Sequence, residues 1–323
     1  MFKTGLKILE AKVGIESNRR SLLPQFPLKI EVKSLLTDFE RVEEIPYSAK
    51  LDGHISIEDE ARPESYYDFS AEKAIFKGPI LKLAKEASDL RFSLWGNQGF
   101  LYRYILFLLE KNHRIYNLHA CGLFNQKKNI LYIIAGGAGS GKTVYLLSGL
   151  AKGLKLFSTE TVHFRMEKCK ISWFMGSLID NVRLGTLIHD FPQYLPPQNI
   201  PQDFDEWQKK IALDLSSHKN DSETITDPEV IMLFPRIEEG RKGFLLSSFK
   251  DKKIAAKAIF DNISQKLSET VILYDKIPIL GLDKRELASR RLKSVTELAH
   301  HQSIIKIASV LTNPGQCWGD LLN

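Results

Sequence analysis

Eight consecutive residues, Gly136, Gly137, Ala138, Gly139, Ser140, Gly141, Lys142 and Thr143, satisfy the pattern G-x-x-x-x-G-K-S/T. These residue types suit one chemistry. Glycines reach positive φ and bring backbone N–H groups against phosphate oxygens. A helix starting at the lysine turns the positive end of its dipole toward the same anion. The Lys142 ammonium can then reach the β- and γ-phosphates, and the Thr143 hydroxyl is a ligand for Mg²⁺. The spacing implies a nucleoside triphosphate such as ATP, bound with Mg²⁺.

Such a loop has to be held between a buried strand and a helix, and the flanking sequence supplies both. ILYIIA (130–135) is an apolar run too short for a helix, as a strand covered on both faces requires. A helix is expected from Lys142 to Lys152, ended at Gly153. Residues 154–158 and 161–165 read as further strands on either side of Thr159-Glu160, and 115–124 as the strand before the loop. Apolar residues at Phe100, Leu101, Tyr104, Ile105, Leu108 and Leu109 predict a helix over 98–111, packed by that stripe.

Residues 26–34 and 66–77 each read as one strand, giving a β-rich region over 1–95 ahead of a nucleotide-binding domain over 96–323. Residues 189–207, rich in Pro, Gln and Asp, are expected to be an excursion with little regular structure. Residues 230–235 predict a strand, and 254–267 and 294–311 predict helices. The fold class expected is α/β.

The 323 residues are 43% hydrophobic and 26% charged, enough apolar material for a substantial core. No apolar run reaches the about 18 residues that a membrane span needs, and the first twenty residues lack the apolar centre of a signal peptide. Cys121, Cys169 and Cys317 are too few and too scattered for a disulfide framework or zinc site, so free thiols in the cytoplasm are expected. Between Lys127 and Lys170 eight Lys or Arg face two Glu, which accounts for the whole formal charge of +6. A basic excess around a phosphate loop suits an anionic ligand or acidic partner. Neither aromatic RNA-binding motifs nor zinc-finger spacings are present, so nucleic acid is not the expected partner.

The stretch LHACGLFNQKKNILYIIAGGAGSGKTVYLLSGLAKGLKLFSTETVHF (118–164) resembles the catalytic core of the HPr kinase/phosphorylase family and its shorter kinase-type relatives. The features that carry the resemblance are His119 in the strand before the loop, the loop and its helix, and Gly153-Leu154-Lys155-Leu156-Phe157-Ser158-Thr159-Glu160. The last of these stands where the family has a glycine, a basic residue, a leucine and then two acids. LFPRIEEG (233–240) is similar to the FPR segment of the shorter relatives.

The resemblance implies a phosphate loop at the centre of a mixed sheet, as in phosphoenolpyruvate carboxykinase. It also implies transfer of a phosphoryl group from ATP to a serine of a peptide or protein, by a chain that forms homo-oligomers. His119 would be the proton acceptor or a neighbour of the γ-phosphate, and Glu160 would order Mg²⁺ together with Thr143. The chain departs from the family at Thr159, where the first acid would stand, and at Val144, where the bifunctional enzymes carry Glu. Their basic, glycine-containing signature loop is not found, so phosphorolysis is not expected.

Two further readings compete. TVILYD (270–275) runs four apolar residues into Asp275, the pattern of a Mg²⁺-holding acid in a P-loop ATPase. A nucleotide-binding sensor without catalysis is the other. Arg236 could bind phosphate through its guanidinium fork or pair with Glu238 or Glu239. Cys121, two residues past His119, would share its strand face and pack in the core.

Overall fold

A computed structural model of the chain describes residues 1–24, 39, 41–62, 64–70, 72–137, 139–195, 205–238, 240–319, 321 and 322. The strand expected over 26–34 and the loop residue Ala138 lie outside the described residues, as do 196–204 of the Pro-rich excursion. The protein is mixed α/β, and its contacts divide it into two units. One comprises Met1–Tyr116 with Ser264–Ser289, the other Asn117–Ile263 with Arg290–Asn323. Along the chain the first change of unit falls after Tyr116, with two more after Ile263 and Ser289.

The first unit is built on a six-stranded mixed sheet of β1 (Phe2–Ile8), β2 (Ala11–Ser17), β3 (Val42–Ile45), β4 (Gly53–Asp59), β5 (Tyr66–Ser70) and β6 (Lys73–Gly78), in the order β3-β1-β2-β4-β6-β5. Residues 66–77, expected as one strand, fold back on themselves as β5 and β6. The reversal sets Tyr67 opposite Phe76, with ring centroids 4.9 Å apart, so both apolar alternations face one side. After the short helix α1 (Ile80–Glu86) comes α2 (Phe100–His113), ended by Arg114 in the left-handed conformation.

Every residue of α2 from Phe100 to Glu110 is buried, where the sequence suggested a single apolar stripe. One side packs on the rings of Phe69 and Phe76 from the sheet. Another is covered by the 264–289 segment, where the Arg103 guanidinium donates to the carbonyl of Lys266 at 2.5 Å. That burial is why the helix belongs with the first sheet.

The second unit holds a nine-stranded sheet. Its strands are β7 (Tyr116–Asn125), β8 (Ile130–Ala135), β9 (Lys155–Ser158), β10 (Thr161–Glu167), β11 (Lys170–Phe174), β14 (Thr224–Thr226), β15 (Glu229–Ile237), β16 (Leu245–Ser248) and β19 (Ile304–Thr312). The order is β14-β11-β10-β7-β8-β15-β19-β16, with β9 also paired to β7. A separate two-stranded ribbon joins β12 (Ile179–Arg183) to β13 (Lys210–Asp214). The helix of this unit is α3 (Lys142–Ala151), while α4 (Lys252–Ser268) and α5 (Arg285–His300) each belong in part to both units; β17 (Val271–Leu273) and β18 (Ile277–Ile279) form a hairpin in the first unit.

Residues 294–311, expected as one helix, are split between the end of α5 and β19. The β-branched run Ile304, Ile305, Ile307 and Val310 favours a strand, and β19 is inserted between β15, parallel to it, and β16, antiparallel.

Packing on α3 depends on a glycine inside the helix. A Cβ at Gly149 would lie 2.4 Å from a Leu123 methyl and 2.8 Å from the Trp318 ring. The indole of Trp318 meets Tyr132 and Tyr145 edge-on at 5.2 and 5.3 Å, and donates to the Tyr145 carbonyl at 3.3 Å. All three cysteines are free thiols, Cys121 and Cys317 buried and Cys169 exposed. Among the described residues, no helix is long and apolar enough to cross a membrane.

Candidate functional site

The glycine-rich loop leaves the end of β8, which is flanked by antiparallel β7 and parallel β15 and is buried from Leu131 to Ala135. Gly139 and Gly141 hold φ of 79° and 98°. A Cβ on Gly141 would lie 2.1 Å from the Ile237 side chain, so the loop can seat against the end of β15 only with glycine there. Among the described residues, the buried Ser140 hydroxyl has no hydrogen-bond partner. Lys142 opens α3, is buried, and donates from Nζ to the carbonyls of Gly136 at 2.8 Å and Gly137 at 3.2 Å.

His119 and Glu160, far apart in sequence, meet here. His119 Nε2 is 2.7 Å from Glu160 Oε1. Their strands are tied beside the loop: Gly136 N–H donates to the His119 carbonyl at 3.3 Å, and Ala120 N–H to the Glu160 carbonyl at 3.0 Å. His119 precedes the point where β7 starts to pair with β8 and β9. There the Asn262 side chain of α4 takes the place of a strand neighbour, accepting from His119 N–H at 2.9 Å and donating to its carbonyl at 3.0 Å. Cys121 is fully buried with its Sγ 3.6 Å from the Lys142 carbonyl, and burial pushes its thiol well above the ordinary range, which makes it a packing residue.

A carboxylate not singled out by the sequence reading completes the group. Thr143 Oγ1 donates to Asp180 Oδ2 at 3.1 Å, across 37 residues of sequence. Asp180 lies near the start of β12, buried, and among the described residues no Lys, Arg or His pairs with it. Burial first, and the neighbouring Glu160 second, push its carboxyl up to about 7.

Its placement depends on Thr159, at the position where the resemblance would put the first acid. The Thr159 hydroxyl reaches the carbonyls of Ser177 at 3.2 Å and Ile179 at 2.8 Å, and its N–H donates to Ser177 O at 2.8 Å. Thr159 therefore faces the backbone that delivers Asp180 and not the loop. The sequence signal for Asp180 was an acid two residues before Val182, on the same strand face, weak by itself because such spacing is common in half-buried strands.

The other candidates stand elsewhere. Asp275 is in the β17–β18 turn of the first unit, at φ 60°, where its carboxylate accepts from Ser88 N–H at 2.7 Å. Arg236 pairs with Glu238 at 3.2 Å and its side chain is 76% exposed. The basic excess does not surround the loop. Lys127 and Lys128 lie in the β7–β8 turn, about 20 Å away along β8, and Lys152 lies at the far end of α3.

Thr143 and Asp180 are hard oxygen donors, and a buried carboxylate that makes no ion pair among the described residues fits Mg²⁺. Among the described residues, no cluster of three His, Cys, Asp or Glu is placed to hold a metal unaided. A cation that arrives on a polyphosphate needs no such cluster. No protein-family model matches the chain, and no curated protein is similar to it.

Proposed function

We propose that the chain is a kinase. It binds ATP with Mg²⁺ on the loop from Gly136 to Thr143 and transfers the γ-phosphoryl group to a hydroxyl, a serine of a peptide or protein. The observation that carries this reading is the His119–Glu160 contact of 2.7 Å, tethered through the His119 carbonyl to Gly136, the first residue of the loop. Nucleotide capture alone has no need of a proton-accepting pair there.

In this reading Lys142 exchanges its present acceptors, the carbonyls of Gly136 and Gly137, for the β- and γ-phosphate oxygens. The loop amides and the start of α3 add positive potential. Mg²⁺ would supply charge neutralisation on the transferring phosphate, and the Thr143 hydroxyl would help to hold it. The acceptor O–H proton passes to the His119–Glu160 pair as the new O–P bond forms and the bond to the β-phosphate oxygen breaks, leaving ADP. Glu160 is partly exposed, its side chain at 28%, so the pair is open to an incoming hydroxyl.

The test is mass spectrometry of serine peptides incubated with the protein and Mg-ATP, read for an added phosphate. His119→Ala and Glu160→Gln should each lower the transfer rate at least about a hundredfold. Calorimetric ATP affinity should stay within a few fold. Wild-type rates in both variants would remove the assigned pair. ATP binding with no turnover on any hydroxyl would identify a nucleotide sensor in place of a kinase.

A further inference from the structure

We infer that Asp180, and not Glu160, is the carboxylate that holds the divalent cation of the nucleotide complex, together with Thr143. The inference rests on the nucleotide-binding half of the reading above and is independent of the phosphoryl-transfer half.

The first support is spacing. Mg²⁺ binds oxygen octahedrally at roughly 2.0–2.1 Å, which places adjacent ligand oxygens about 3 Å apart. Thr143 Oγ1 and Asp180 Oδ2 are 3.1 Å apart. That separation would let both oxygens hold one cation once the hydroxyl proton turns away. The second support is charge. Asp180 is buried and, among the described residues, has no cationic side chain paired with it. The Lys142 ammonium acts on it without forming an ion pair, and a carboxylate kept dry with no cation in contact is costly.

The third support is rigidity. The segment leading into Asp180 is fastened by Thr159 at Ser177 and Ile179, and the Ser177 hydroxyl closes a turn onto Ile179, donating to its carbonyl at 2.9 Å and accepting from its N–H at 3.0 Å. Glu160 differs in kind. Its carboxylate is engaged by the His119 ring at 2.7 Å, and a cation on the same group would compete with that bond. The two acids therefore divide the work, one for the cation and one for the proton.

The test is calorimetric titration of the full chain with ATP, once in Mg²⁺ and once in EDTA, for the wild type, Asp180→Asn and Glu160→Gln. The ratio of the two dissociation constants is the readout, and it does not depend on turnover. In the wild type Mg²⁺ should tighten ATP binding, and Asp180→Asn should lose at least about tenfold of that enhancement. Glu160→Gln should retain it. ATP binding by Asp180→Asn in EDTA reports that the loop is still folded, and Mn²⁺ in place of Mg²⁺ allows the bound cation to be read directly by electron paramagnetic resonance.

An undiminished Mg²⁺ enhancement in Asp180→Asn, or its loss in Glu160→Gln, overturns the assignment while leaving nucleotide binding intact. A wild-type chain that binds no ATP in either buffer takes both readings down. Asp180-dependent Mg²⁺ enhancement in a chain that phosphorylates nothing upholds the cation site and removes the kinase.

Discussion

Asp180 has a cost that can be measured without any ligand. Its carboxyl is pushed up to about 7 in the fold, against an ordinary 3.8. Between those values the folded chain holds a proton that the unfolded chain has released, so stability is highest below the lower value and falls as pH rises toward the upper one. His163 works in the opposite sense. Burial holds its imidazole down at about 3 against an ordinary 6.5, so its contribution is lost as pH falls below the ordinary value. That term is common to wild type and variant and cancels in their difference.

Asp180→Asn should therefore raise the melting temperature by about 5 °C near pH 8 and change it little near pH 4. An equal shift at both pH values in scanning calorimetry would show that the carboxylate is not strained by its burial. Lys142 and Thr143 became candidates because the loop is contiguous, and His119 and Glu160 because a family resemblance marked them. Asp180 and Asn262 were not, because each meets its partner only after distant segments have folded together.

Thr159 shows how one side chain can govern an element. It is 2% exposed and donates into two carbonyls of the segment that starts β12. Restoring the acid that the resemblance would put there, by Thr159→Asp, replaces that donor with an acceptor facing acceptors and buries a charge without a partner. The variant should melt on the order of 10 °C lower and should lose Mg²⁺-enhanced ATP binding, since Asp180 would no longer be held. A variant of wild-type melting temperature, as followed by circular dichroism, would mean that the anchor is dispensable.

The regular elements around the loop were legible because burial on both faces and helical spacing leave strong patterns, as in ILYIIA. Two readings failed for a physical reason. In 66–77 a hairpin keeps alternation on one face just as a straight strand does, and in 294–311 apolar residues continue at mixed spacing through the change from α5 to β19.

At the scale of the whole chain, the sequence showed the composition of a mixed α/β protein and the lysine excess, but not where either is distributed. The 264–289 segment joins the N-terminal sheet because α2 needs a second cover, and no local pattern announces a partner so distant in sequence. The second unit is likewise closed by late residues. Trp318 fills the space between Tyr132 of β8 and Tyr145 of α3 that Gly149 leaves open. Trp318→Ala removes a fully buried indole and should cost roughly 3–5 kcal/mol, a fall in melting temperature on the order of 10 °C. Retention of the wild-type melting curve would show that the site's helix stands without it.

The position of Trp318 also bears on biosynthesis. During translation, β8, the loop and α3 leave the ribosome long before residue 318 has been polymerised, with Tyr132 and Tyr145 still lacking their wedge. Parallel β19, the neighbour of β15, is equally late. A nascent chain that has reached only α3 thus carries the glycine-rich loop without two of the pieces that brace it, Trp318 and β19.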